Sequence, residues 1–129
     1  MYILLKQKKD GLSNELVSFA QDLVRQPSVS LNEKDAADRV QQEMEKLNYD
    51  QVLRDGYGNV AGVMLGSNRG PTMMLNSHMD TVDPGDEKSW RYDPYEGRQI
   101  DGDIYGVGAA DCKGGLAAQV YAGALLKRA

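Results

Sequence analysis

The chain has 129 residues, 41% of them hydrophobic and 26% charged, with 15 basic side chains against 19 acidic ones for a formal net charge of −4. That is the composition and length of one globular domain able to enclose a core, which excludes a disordered tail, and the single Cys excludes a disulfide scaffold. The only basic cluster, Lys6, Lys8 and Lys9, is too short to grip a polyanion, so no nucleic-acid partner is expected. Tyr2 to Leu5 falls far short of a signal-peptide core or a membrane span, so no membrane contact is expected and the cytoplasm is the expected compartment.

Apolar residues at Leu12, Leu16, Phe19, Ala20, Leu23 and Val24 have helical spacing and stop before Gln26-Pro27, where proline disfavours continuation. A second helix is expected behind an Asn32 cap, with Ala36, Val40, Met44 and Leu47 facing inward and an end near Asn48. The pattern then shortens: Gln51 to Arg54, Asn59 to Leu65 and Thr72 to Ser77 read as strands divided by turns at residues 56–59 and 66–71. Val60 to Leu65 is apolar on both faces, as in a strand covered by helices on each side, and two helices before several strands predict an α/β layer fold. Residues 81–98, with Pro84, Gly85, Trp90, Pro94 and Gly97, read as a long functional loop. Asp101-Gly102-Asp103 marks a tight hairpin between Gln99-Ile100 and Ile104-Tyr105. Gly114 opens a last helix whose stripe is Leu116, Val120, Tyr121, Ala124 and Leu125, running to Lys127 and Arg128.

Two segments carry chemistry. His78, the only histidine, follows the apolar run Met73-Met74-Leu75, and in extended backbone it shares a side with Asp80, so the imidazole could ligate a metal while the carboxylate orients it. By itself, a lone histidine is more often an exposed or hydrogen-bonded bystander. The second segment, Tyr105 to Leu116, is a glycine-rich turn with Asp111 at its centre, suited either to bridging two cations or to capping the following helix. The Walker spacing of a phosphate loop is absent. Cys112 reads as a small packed side chain rather than a nucleophile, and Trp90, Tyr92 and Tyr95 as anchors of the long loop.

Taken together, Ser77-His78-Met79-Asp80-Thr81-Val82-Asp83, Trp90, Asp93-Pro94, Gly97, Asp101-Gly102, Tyr105-Gly106 and Gly108 to Gly115 have the order and spacing of the zinc-dependent aminoacylase family, which includes acetylornithine deacetylase and succinyl-diaminopimelate desuccinylase together with related carboxypeptidases and dipeptidases. The chain resembles the N-terminal part of that family from about Leu12 onward. The resemblance implies a three-layer α/β domain with helices on both faces of a sheet, of the di-zinc aminopeptidase type. It also implies that His78 binds one zinc, that Asp80 is an active-site residue orienting His78, that Asp111 bridges two zincs, and that the Asp111-Cys112 peptide is cis. Cobalt or manganese would fit the same ligands.

The implied activity is metal-dependent hydrolysis of an amide or peptide bond in a small N-acyl amino acid or peptide. The family's remaining parts are a glutamate pair supplying the general base, two further ligands and an inserted lid or dimerisation domain. This chain has no Glu-Glu pair and no Asp, Glu or His after Asp111. Residues 1–129 are therefore expected to be an incomplete N-terminal portion of the catalytic domain, inactive by itself, within a protein that forms a homodimer. The alternative is a non-enzymatic metal-binding or interaction module.

Overall fold

The computed structural model describes residues 2–66 and 70–127, with the side chains of the first helix described from Gly11 onward. In α1 (Tyr2–Val24) the expected stripe turns inward, with Leu12, Phe19, Ala20, Leu23 and Val24 buried, and the helix stops just ahead of Gln26-Pro27. It starts at Tyr2 rather than Leu12 because Leu, Lys and Gln, which dominate the preceding residues, hold helical backbone without an apolar stripe. The side chains of Lys6, Lys8 and Lys9 lie outside the described residues.

α2 (Lys34–Lys46) buries Ala36, Ala37, Val40 and Glu43, and Leu47 continues the stripe. Asn32 does not cap it. Leu31 turns into the left-handed region (φ 74), its N–H donates to Glu33 Oε1 at 2.8 Å, and Asn32 N–H closes a turn onto Val29 O, so the helix begins only after Glu33. α3 (Gly114–Lys127) buries Leu116, Ala117, Val120, Tyr121 and Ala124 in the same core as α1 and α2; Arg128 lies outside the described residues.

The strands form two separate antiparallel pairs. β1 (Gln51–Arg54) runs against β2 (Val60–Val63), with Gln51 opposite Val63 and Arg54 opposite Val60. Its inner face presents Val60, Gly62 and Met64 to the helices, whereas Ala61, Leu53 and Leu65 are exposed. Among the described residues this sheet is thus covered on one face, where Val60 to Leu65 led to the expectation of helices on both: a run of small apolar residues fixes extended backbone but not what lies beyond each face. The expected strand Thr72 to Ser77 is also not formed: the segment pairs with neither two-stranded sheet, and Met73 and Met74 are 67% and 83% exposed. The turn expected over residues 66–71 includes Ser67, Asn68 and Arg69, which lie outside the described residues.

β3 (Arg98–Ile100) and β4 (Asp103–Tyr105) make the expected hairpin; Asp101 (φ 52) and Gly102 (φ 94) supply the two positive φ angles of its tight turn. The long loop before it contains a single 3-10 turn, Glu87–Ser89, and a second turn at residues 94–95 closed by Glu96 N–H onto Asp93 O at 3.2 Å. The Tyr92 ring meets Tyr105 of β4 edge-on at 5.5 Å and so anchors the loop to the hairpin, whereas Trp90 Nε1 donates to Pro84 O within the loop itself. No helix among the described residues is long and apolar enough to cross a membrane.

Tyr49 joins the first sheet to the helices. Its hydroxyl donates to Val120 O at 2.7 Å, and its ring occupies the space a side chain on Gly62 or Gly123 would need. Gly-to-Ala inside a helix ordinarily stabilises by about 0.5–1 kcal/mol. At Gly123 the added Cβ would stand 2.5 Å from the Tyr49 hydroxyl, so the sign reverses. Gly123→Ala is expected to lower the unfolding free energy in urea by about 1–3 kcal/mol, with much of the loss recovered in a Tyr49→Phe background.

Candidate metal centre

Two distant segments meet here, and the α1–α2 connection holds the first of them. Val29 makes a parallel bridge with Thr81, Thr81 N–H donates to Ser28 O at 2.8 Å, and Ser28 Oγ donates to Met79 O at 2.8 Å. The backbone from His78 to Thr81 is therefore extended; Met79 packs against the core, while His78 and Asp80 share the opposite side. The second segment turns at Gly108 (φ 73) and winds through residues 109–113 into α3. Lys113 clamps that turn. Its side chain is fully buried, its N–H donates to Gly108 O at 2.9 Å, and its Nζ donates to Gln26 O at 2.6 Å. Burial without a carboxylate partner pulls the Lys113 pKa down to about 8. Thr81 then docks directly on Gly108: a Cβ there would lie 2.2 Å from Thr81 Cγ2.

This docking sets the imidazole against the acid. His78 Nε2 is 2.9 Å from Asp111 Oδ1, and His78 Nδ1 is 3.1 Å from both the Asp80 carbonyl oxygen and Asp80 Oδ1. Ser30 Oγ donates to Asp80 Oδ2 at 2.6 Å, leaving Oδ1 for the ring. The Asp111-Cys112 peptide is cis. Hydrogen bonds to Asp111 and to the Asp80 carbonyl hold the His78 pKa above its ordinary value, and the Ser30 hydroxyl does most to hold the Asp80 carboxyl below its own. The site is open, with the His78 side chain 50% exposed and that of Asp111 89% exposed.

His78 and Asp111 are thus brought together, with Asp80 at the opposite ring nitrogen of His78. Asp111 directs its carboxylate at the ring, and Gly108 precedes the turn where a helix cap would otherwise stand. Cys112 is half-buried, as expected of a packed side chain, yet its Sγ donates to His78 O at 3.2 Å. One donor atom each from His78, Asp111 and Cys112 can be chosen so that all lie within 4.8 Å of one another. An ion about 2.0–2.1 Å from Nε2 and Oδ1 with tetrahedral angles would hold those atoms about 3.3 Å apart, so opening the present 2.9 Å separation by a few tenths of an ångström admits it. The donor set and its spacing fit a divalent cation. Sequence reasoning missed Ser28, Ser30 and Lys113, whose roles depend on partners 51, 50 and 87 positions away.

Residues 74–129 match the peptidase family M20/M25/M40, a span that includes all three site residues. An uncharacterized protein, YgeY, of Escherichia coli K12 is 40% identical over 125 residues, which are 96% of this chain and 30% of that protein. A succinyl-diaminopimelate desuccinylase of Rhodospirillum centenum is 40% identical over 120 residues, 87% of this chain and 31% of that enzyme. The chain spans about three tenths of the length of these curated relatives.

Proposed function

From the premise that this chain is similar to the N-terminal part of the M20/M25/M40 peptidases, we propose that it supplies the first half of a metal centre that hydrolyses an amide or peptide bond in the complete protein. The observation that carries the reading is the His78 Nε2 to Asp111 Oδ1 approach, with Asp80 braced behind the ring. His78 would offer Nε2 to one cation, and Asp111 one oxygen to each of two. Asp80, fixed by Ser30, would keep the proton on Nδ1 so that Nε2 stays free to ligate. When bound, a pair of zinc ions, or of cobalt or manganese, supplies Lewis-acid polarisation of the scissile carbonyl and an acidified water.

In the complete protein the reading extends to a small N-acyl amino acid or peptide as substrate, a homodimeric assembly, a cytoplasmic setting and a sheet with helices on both faces. Residues 1–129 form the N-terminal portion of that catalytic domain. For the 129 residues by themselves the reading is metal capture without turnover, since the donors that converge among the described residues are His78, Asp111 and Cys112. Incubated with zinc and N-acetyl amino acids, the chain should release no amino acid; measurable release would overturn the inactive half-site.

Zinc binding provides the direct test. Calorimetric titration of the chain with zinc should give a saturable isotherm. Ser30→Ala, which frees Asp80 from its brace, should weaken the affinity roughly 10–100-fold, the usual effect of losing a supporting group. His78→Ala and Asp111→Ala should each weaken it further. An isotherm unchanged in His78→Ala would refute the assignment.

A further inference from the structure

We propose that Cys112 is a metal ligand of this chain, so that His78, Asp111 and Cys112 take one cation as an imidazole, carboxylate and thiolate set. The inference rests on the metal-centre reading above and adds a donor to it. Three observations carry it. The donor atoms chosen from these three residues all lie within 4.8 Å of one another. Cys112 follows Asp111 directly and donates its S–H to His78 O at 3.2 Å, so the sulfur is tied to the segment that bears the imidazole. It is also only half-buried, in a site whose Asp111 side is open to solvent.

Zinc takes thiolate sulfur at about 2.3 Å and imidazole nitrogen at about 2.0–2.1 Å, so rotation of the Cys112 side chain off the His78 carbonyl is the movement the site requires. In that step the S–H···O bond to His78 breaks, the thiol proton leaves to solvent, and a sulfur lone pair forms the bond to the cation. No oxidant or reductant is involved. Three protein donors leave a fourth tetrahedral position open, and the sulfur biases the site toward thiophilic cations such as zinc and cadmium over magnesium or manganese.

Cobalt(II) titration of the chain, followed by absorption, tests this directly. Thiolate ligation should produce a sulfur-to-cobalt charge-transfer band in the near ultraviolet along with the visible bands of tetrahedral cobalt. Cys112→Ser should abolish the charge-transfer band while retaining weakened cobalt uptake, and His78→Ala should lose both. In parallel, saturating zinc should slow alkylation of Cys112 by iodoacetamide at least tenfold in the wild type, and no more than twofold in His78→Ala. Visible cobalt bands without the charge-transfer band would overturn the thiolate ligand and leave the metal centre standing. Absence of any cobalt or zinc uptake would overturn both.

Discussion

Gly108→Ala is expected to lower the unfolding free energy by about 3 kcal/mol and to abolish zinc uptake in the fraction that remains folded. Two costs combine. The backbone at Gly108 has φ 73, and a side chain in that left-handed region costs roughly 1–2 kcal/mol. The added Cβ would also stand 2.2 Å from Thr81 Cγ2, and overpacking of that kind costs about 1–3 kcal/mol. Relief of the clash must move Thr81 away from the turn, and with it the His78 to Thr81 segment from Asp111. Urea unfolding measures the first effect and calorimetry the second. Thr81→Ser removes the obstructing methyl, so in the double variant the packing cost should shrink while the backbone cost persists. Gly115→Ala is the control: nothing lies within 4 Å of its added Cβ, and stability should stay level or rise. A Gly108→Ala protein as stable as wild type would show that the two segments do not dock as described.

Glu43→Ala is expected to cost about 3 kcal/mol, with a characteristic dependence on pH. Glu43 is a carboxylate with 1% of its side chain exposed. Arg39 Nη1 lies 2.7 Å from Oε2, Lys46 Nζ lies 3.2 Å from Oε1, and the Tyr121 hydroxyl donates to Oε1, joining α2 to α3. Arg39 also reaches Asp22 of α1 at 3.0 Å and lies 4.7 Å from the centre of the Phe19 ring. Removing the anion leaves the buried Tyr121 hydroxyl without its acceptor and Arg39 with Asp22 as its carboxylate partner, and breaking a buried pair from one side typically costs about 3 kcal/mol. Burial alone would favour the neutral acid; the hydrogen bonds from Tyr121, Arg39 and Lys46 outweigh it and hold the Glu43 carboxyl below its usual range. Its contribution is therefore fully present above the unfolded value, about 4.3, and is lost as pH falls through the lower folded value. Urea midpoints at pH 7 and pH 3 should converge for wild type and Glu43→Gln; an equal gap at both pH values would contradict the network.

The three helices were legible because a 3.6-residue apolar stripe is a local property: Leu12 to Val24, Ala36 to Leu47 and Leu116 to Ala124 each display it. The 101–102 turn was legible because Asp-Gly between two short apolar runs is a local hairpin signal. Thr72 to Ser77 was misread because extended propensity is local but a pairing partner is not. Asn32 was misread because Leu31 takes a left-handed turn that no residue type there announces. The same division runs through the candidate site. His78, Asp80 and Asp111 stand out by type and spacing, whereas Ser30 is one serine among several until the folded chain sets it 2.6 Å from Asp80.

The imidazole and the acid are 33 positions apart, and the serine brace reaches across 50. Neither segment can preorganise the pair by itself, so loop-closure entropy must be overcome before any of these contacts forms. The pocket is consequently expected to form only together with the tertiary contacts that hold it. A cation that recognises only the finished geometry will raise the melting temperature by mass action, by about 2.7 kcal/mol of stability when its free concentration is a hundred times the dissociation constant.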